Sequence, residues 1–159
     1  MSWANRNRNG DGTVVTATNA ALLDQLVRYA NGTGTVDTAT GEATISWDGT
    51  LTVNFYGQFV PFWFIDPTLE VAADGSGTLT ATMGGFASDI GDPSTRTPLP
   101  ETPDVVVAEF ADVYANGDLN TGFTSPTSYL GRSIVTPPGA PQLSLGPANA
   151  AFWGSWPQT

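Results

Sequence analysis

The sequence predicts a mainly β protein, an antiparallel sandwich or open barrel with one short helix near the N-terminus. Apolar and polar residues alternate over several short segments, which is the period of a half-buried strand. Asp-Gly and Asn-Gly pairs separate these segments, and such pairs are typical of tight turns. Helical spacing of apolar residues occurs convincingly once, between Thr18 and Ala30.

The helix is predicted over Thr18–Ala30. Thr18 or Asn19 can cap its first turn, since a short polar side chain accepts a bond from a free backbone N–H. Asn31-Gly32 ends it, because these residues tolerate a left-handed backbone. The apolar face consists of Leu22, Leu23, Leu26, Val27 and Ala30. Residues 1–12 are predicted to form a flexible polar arm, and residues 13–159 a single β domain of ordinary size.

Two hairpins are predicted where alternating segments flank a turn signal. The first joins Ala43–Trp47 to Thr50–Tyr56 through Asp48-Gly49, with Leu51, Val53 and Phe55 facing inward. The second joins Thr68–Ala73 to Thr78–Met83 through the sequence from Asp74 to Gly77.

The remaining segments are less regular. Phe59–Ile65 is predicted to be a strand buried on both faces, with Pro61 indicating a sheet edge or a bulge. Gly84–Pro103 is predicted to be a long loop that its prolines stiffen. Val105–Tyr114 is interpreted as a strand with a bulge between Val107 and Phe110, because its apolar phase slips there. Asn116-Gly117 is predicted to turn the chain.

Charge and composition exclude several classes of partner. Fifteen carboxylates against five arginines, with no lysine, give a net charge of −10. Because so acidic a chain repels phosphate groups, we expect neither nucleic acid nor an anionic membrane surface as its partner. The longest apolar run, Phe59–Ile65, is too short to insert across a bilayer. The low share of charged residues, 13%, is common in secreted, cell-wall and virion-surface β-domains.

The residue types argue against catalysis. The chain has no His, Cys or Lys, so the usual general bases, thiol nucleophiles and Schiff-base amines are missing. A pair of carboxylates could still act on glycosides, but most of the acids fall in turns. Asn5–Gly10 resembles a calcium loop but has Thr16 in place of the closing Glu. We therefore predict no catalytic and no metal-binding residues.

Aromatic residues are the candidates for binding. Phe59, Phe62, Trp63 and Phe64 are four large rings in six residues, which cannot all point to one side of a strand. Either these rings fill the core, or some face outward to a ligand or partner subunit. Trp153 and Trp156 raise the same alternative near the end of the sequence. Phe62, Trp63, Phe64, Trp153 and Trp156 are the candidate apolar docking residues.

From about Leu22 to Phe110, and again at Trp153–Pro157, the sequence resembles the haem-transport-associated (HtaA) domain family of actinobacterial surface proteins. The similarity covers over half of the chain and depends on the order and spacing of several stretches. These are Leu26–Tyr29, Thr40–Thr50, Val53–Gly57, Ile65–Leu69 and Asp74–Ala81.

The resemblance implies a β-rich domain with a short helix that binds haem as its cofactor. Tyr29 matches the family's axial tyrosine. The histidine that supports this tyrosine has no counterpart, and Gln58 lies near where it would fall. The implied haem-binding residues are Tyr29, Gln58 and Phe59.

The leading hypothesis is a non-enzymatic binding or assembly module of this β-rich type. The alternatives are a structural or decoration protein of a larger assembly, such as an actinobacteriophage virion, and an adhesion or glycan-binding module. We expect a protein partner or self-assembly, at an extracellular, cell or virion surface. The first residues, Met1–Arg6, lack the apolar stretch of a signal peptide.

Overall fold

A computed structural model of the chain describes residues 8, 12–14, 16, 27–55, 60–89, 91–92 and 94–128. The chain divides into two compact units, Met1–Ala30 and Asn31–Thr159. In the first unit Arg8 and Val14 form an isolated antiparallel bridge. The polar arm over residues 1–12 and the domain over residues 13–159 stay predictions.

The predicted helix over Thr18–Ala30 lies mostly outside the described residues. Its last four residues, Val27–Ala30, are described and are not helical, so this end of the prediction is wrong. Asn31 does adopt the expected left-handed backbone, with φ of 60°. Gly32 then lies against the indole of Trp47, where a Cβ would come within 2.6 Å of Nε1. This packing fixes the chain directly after the segment.

The second unit is built on strands. They are β1 (Thr33–Val36), β2 (Ala43–Ser46), β3 (Thr50–Phe55), β4 (Val60–Val71), β5 (Gly77–Ser88), β6 (Arg96–Phe110), β7 (Asn116–Asp118) and β8 (Gly122–Thr124). Among the described residues the first six form one antiparallel sheet in the order β1-β2-β4-β5-β6, and β3 also pairs with β4. The last two form a separate antiparallel pair. The predicted mainly β, antiparallel class is confirmed, and the sheet is compatible with a sandwich or an open barrel.

The hairpin predicted around Asp48-Gly49 is wrong. β2 and β3 do not pair with each other but lie end to end along β4, which is long enough to pair with both. At their junction, Gly49 forms its hydrogen bonds with Asp66 of β4 and not with a neighbouring strand of a hairpin. The backbone N–H of Asp66 donates to the carbonyl of Gly49 at 2.8 Å, and its Oδ1 accepts the Gly49 N–H at 2.7 Å.

Asp66 also marks an irregularity within β4. The register between β4 and β5 shifts between Ile65 and Thr68, and Asp66 has a left-handed φ of 49°. Such a bulge lets a long strand bend. Pro61 pairs with β3 alone, because the pairing of β4 with β5 begins only at Phe62. This end of β4 is therefore an edge, as the proline predicts.

The second predicted hairpin is confirmed. β4 and β5 pair in antiparallel register from Thr68↔Thr80 to Val71↔Gly77. Asp74 holds the connecting turn, because its Oδ1 accepts both the N–H and the O–H of Ser76, at 2.9 and 2.7 Å.

The long loop predicted over Gly84–Pro103 is wrong. β5 continues to Ser88 and β6 begins at Arg96, so only a short connection separates them. β6 is an edge strand in the described sheet, where proline is tolerated because its missing N–H has no strand to bond. The prolines at 98, 100 and 103 therefore lie in a strand.

The end of β6 also differs from the prediction. β6 ends at Phe110 and not at Tyr114. The expected bulge is close to Val107, since Leu79 pairs with Ala108 and Thr80 with Val106. Asn116-Gly117 begins β7, and the turn follows it, at residues 119–121.

One face of the sheet forms the core. Side chains alternate along β5, so its odd-numbered residues from Gly77 to Gly85 share a face with their apolar partners on β4. Val113 is 1% exposed and lies on this face at Gly77. The Tyr114 hydroxyl donates to the carbonyl of Gly41 at 3.2 Å. The buried residues are Ala43, Phe64, Leu69, Val71, Leu79, Ala81, Ala108 and Val113.

The described part of the chain contains no helix with the length and hydropathy that crossing a membrane requires.

Candidate functional site

The aromatic run in β4 divides between the two faces of the sheet. Phe62 and Phe64 pair with Gly85 and Met83 on the core face, and their rings meet edge to face at 5.6 Å. Trp63 lies between them in sequence and therefore points to the opposite face. Phe64 is 4% exposed and belongs to the core, whereas Trp63 is half-buried.

The indole of Trp63 lies over a glycine. Trp63 and Gly84 are direct cross-strand partners. A Cβ at Gly84 would come within 2.6 Å of Cε2 and 2.8 Å of Cζ2 of the indole. The missing side chain lets the ring lie close to the β5 backbone, a packing in which an aromatic ring protects a strand glycine.

Two further contacts fix the ring. The Trp63 Nε1–H donates to Oε1 of Glu101 on β6 at 3.3 Å. Phe86, two residues beyond Gly84 on β5, meets the indole edge to face with centroids 5.3 Å apart. The indole is thus held on three sides by β5 and β6.

On its other side Trp63 pairs with Thr52 of β3, which is exposed. Thr52, Trp63, Gly84 and Glu101 therefore follow one another across four neighbouring strands, and we call these four residues the Trp63 row. With strands about 4.8 Å apart, the row spans roughly 14 Å. It places one rigid aromatic ring between a hydroxyl group and a carboxylate.

Threonines flank the Trp63 row on one side. Ile65, next to Trp63 on this face, pairs with Thr50 on β3 and Thr82 on β5. Further along, the hydroxyl groups of Ser46 and Thr68 share a hydrogen bond of 3.0 Å. The face opposite the core is therefore rich in hydroxyl groups, with a small apolar centre.

Most of the described aspartates hold turns. Each of six accepts the backbone N–H two residues ahead, namely Asp37, Asp74, Asp89, Asp92, Asp112 and Asp118. The Ser76 hydroxyl lowers the pKa of Asp74, and the Ser94 hydroxyl lowers the pKa of Asp92. The backbone N–H of Thr121 lowers the pKa of Asp118. These groups are stabilised in their charged, hydrogen-bond-accepting form.

An open depression of about 850 Å³ lies between the β1–β2 turn and the ends of β4 and β5. Its acids are Asp37, Glu42 and Glu70. Asp37 and Glu42 are bonded within the turn, the second by the Thr40 hydroxyl at 2.9 Å. Within the described residues no group of three or more His, Cys, Asp or Glu side chains is arranged to hold a metal ion.

The implied haem residues fall in separate places. Tyr29 is half-buried in the first unit, and burial raises the pKa of its phenol. Its hydroxyl is therefore neutral at physiological pH unless a bound cation lowers the pKa. Gln58 and Phe59 lie outside the described residues, as do Trp153 and Trp156.

Sequence reasoning missed the partners of Trp63. Gly84, Phe86 and Glu101 all lie in the segment that the sequence predicts to be a loop. Hydrophobic alternation does not reveal them, because Gly84-Gly85 interrupts it and Phe86 falls in the phase of the preceding threonines. A glycine opposite a tryptophan is itself a known strand pairing.

A scan against protein-family models matches no family, and searches of curated proteins and of solved structures give no match.

Proposed function

We propose that this chain is a non-enzymatic module that binds or assembles at a surface through the hydroxyl-rich face of its sheet. The observation that carries the proposal is the position of Trp63. A large ring placed in the core would serve packing alone, but this one lies on the opposite face among threonines. Aromatic rings held rigidly on a polar surface are typical anchors of binding sites.

The use of the carboxylates supports a non-enzymatic role. A general acid at neutral pH needs a raised pKa, which burial or a neighbouring charge provides. The pKa values of Asp74, Asp92 and Asp118 are instead lowered by hydrogen bonds from their own turns. These acids are fully exposed and serve the fold.

The experiment is a sedimentation assay with the labelled full chain. Intact cells and purified virus particles from the source of the gene are mixed with the protein and pelleted. We expect the wild-type chain to pellet with one of these surfaces, and Trp63→Ala to lose at least about tenfold in affinity, as for the loss of a central anchor. Retention on particles rather than cells would favour the assembly version of the proposal.

Two controls make the result specific. Trp63→Phe keeps a ring and should keep most of the binding, and Thr38→Val changes an exposed residue in the β1–β2 turn and should bind like the wild type. Circular dichroism spectra of all variants establish that they are folded. Absence of binding to every surface, or equal binding by folded Trp63→Ala, would overturn the proposal.

A second candidate function is haem binding, which the half-buried Tyr29 favours because this residue matches the axial position of the haem-transport-associated family. A ferric ion would have to lower the raised pKa of the phenol before it could be a ligand. Titration of the chain with haemin should then give a tyrosinate-type absorption spectrum that Tyr29→Phe lacks. A spectrum that is unchanged by the protein, or that Tyr29→Phe retains, rejects this candidate.

A further inference from the structure

We propose that the Trp63 row binds a neutral sugar ring, with the exposed side of the Trp63 indole as the stacking surface. This inference rests on the proposed function and names the ligand class of the same face. It follows from the shape of the ring's surroundings, from the groups beside it and from the charge of the sheet.

The indole of Trp63 has a fixed orientation. One side of the ring is turned to the β5 backbone, because Gly84 leaves room there and a Cβ would collide with the ring. The hydrogen bond to Glu101 and the edge contact with Phe86 prevent rotation. The accessible surface of half-buried Trp63 is therefore a fixed apolar patch, and little conformational entropy is lost when a ligand covers it.

The groups around that patch can bond to the rim of a sugar ring. A pyranose has an apolar face of C–H groups, which the negative face of an aromatic ring attracts, and hydroxyl groups at its rim. Thr52 is exposed directly beside Trp63, and its hydroxyl can donate and accept. Exposed Glu101 uses Oε1 for the indole, and its Oε2 can accept from a sugar hydroxyl.

The charge of the sheet favours a neutral ligand. The strands of the described sheet contain one basic residue, Arg96, against five acids, which are Asp66, Glu70, Glu101, Asp104 and Glu109. A phosphate, sulfate or uronic acid would be repelled. A neutral glycan meets no such penalty. Because the row spans roughly 14 Å, it offers room for a short oligosaccharide.

The test is binding of the fluorescently labelled full chain to an array that holds both neutral and acidic glycans. We expect binding to neutral members and none to their sulfated or uronate counterparts. Trp63→Ala should weaken the binding at least about tenfold. Thr52→Val keeps the shape and strand preference of the side chain and removes only the hydroxyl, so it should weaken binding severalfold, whereas Thr38→Val should not.

The outcomes separate this inference from the proposed function. If the chain pellets with cells or particles in a Trp63-dependent way, but no free neutral glycan binds or competes, the sugar inference is wrong and the binding face stands. Preference for acidic glycans would also overturn it. So would glycan binding by both Thr52→Val and Trp63→Ala that equals binding by the wild type. Absence of wild-type binding to every surface and to every glycan would reject both.

Discussion

At the scale of single residues, glycines and aspartates decide how the aromatic rings and the turns are placed. Gly84 admits the Trp63 indole, and Gly32 admits the Trp47 indole. Both glycines lie where any larger residue would push a ring away from the backbone. The aspartates act differently, since their side chains replace backbone partners in the turns between strands.

Gly84→Ala tests the first of these roles. The added Cβ would lie within 2.8 Å of three indole atoms, so either the ring or β5 must move. Overpacking of this kind costs about 1–3 kcal/mol of unfolding free energy, measurable by urea denaturation. Gly91→Ala is the matched control, because its nearest neighbour is the flexible Asp89 side chain at 3.3 Å. Equal stability of the Gly84 and Gly91 variants would show that the indole is not packed as described.

The turn aspartates predict a dependence of stability on acid. The pKa values of Asp74, Asp92 and Asp118 are lowered from 3.8, so the charged form is favoured in the folded state. Their contribution is therefore present above the unfolded-state value and is lost as the pH falls through the lower folded-state values. The matching variant replaces all three of these aspartates with alanine. We expect the wild type to lose its stability advantage over this triple alanine variant as the pH is lowered below 3.8.

The stability of the wild type must be compared with that of the variant at the same pH. The net charge of −10 is neutralised over the same pH range, and the resulting relief of self-repulsion changes stability with the opposite sign. Urea midpoints of both proteins from about pH 6 to pH 2.5 give the difference at each pH. A difference that stays constant or grows in acid would contradict the assigned role.

At the scale of elements, the sheet depends on one long strand and one protected edge. β4 pairs with β2, β3 and β5, and its register with β5 shifts at Asp66. β6 forms an edge of the described sheet, and its segment Arg96–Asp104 is exposed. Three of these nine residues are prolines, which offer no N–H to an incoming strand.

Asp66→Ala should destabilise the junction of β2, β3 and β4. The substitution removes the acceptor of the Gly49 N–H and puts a non-glycine residue without local hydrogen bonding at φ of 49°. The expected loss is about 1–3 kcal/mol. Asp66→Asn retains an oxygen acceptor and tolerates the left-handed backbone, so it should lose less than half as much. Urea unfolding decides, and equal losses for both variants would contradict the explanation.

The prolines of β6 are expected to prevent edge-to-edge association. The variant with threonine at Pro98, Pro100 and Pro103 restores three donors to an exposed strand. We expect concentration-dependent oligomers in light scattering, where the wild type stays unchanged over the same range. Pro126→Thr, at an exposed position outside the sheet, controls for the loss of a proline. Identical scattering by the triple variant and the wild type would mean that another feature protects this edge.

At the scale of the whole molecule, local signals predicted strands better than they predicted which strands pair. Asp74–Gly77 and Asp48-Gly49 are similar turn signals, yet only the first joins two paired strands. In the second, Gly49 bonds to Asp66, seventeen residues away. A short stretch of sequence does not show that β4 is long enough to pair with both β2 and β3. The prolines of Gly84–Pro103 predict a loop, although an edge strand accepts proline equally well.

The candidate site was predictable to the same degree. Alternation within Phe62–Phe64 predicts that one ring faces away from the other two, and Trp63 does so. The residues that hold Trp63 could not be predicted, because Glu101 is 38 positions away and reaches it only through the pairing of β4, β5 and β6. Contacts of this kind depend on sheet order, which hydrophobic period alone does not determine.

The most direct test of the central claim, that the face around Trp63 is the binding face, is oxidative footprinting of the surface-bound and the free wild-type chain. Hydroxyl radicals modify accessible indoles, and mass spectrometry gives the rate at each tryptophan. We predict that binding slows the oxidation of Trp63 severalfold. The oxidation rate of Trp47, which packs against Gly32, should stay unchanged. Equal oxidation of Trp63 in the bound and the free chain would contradict the claim.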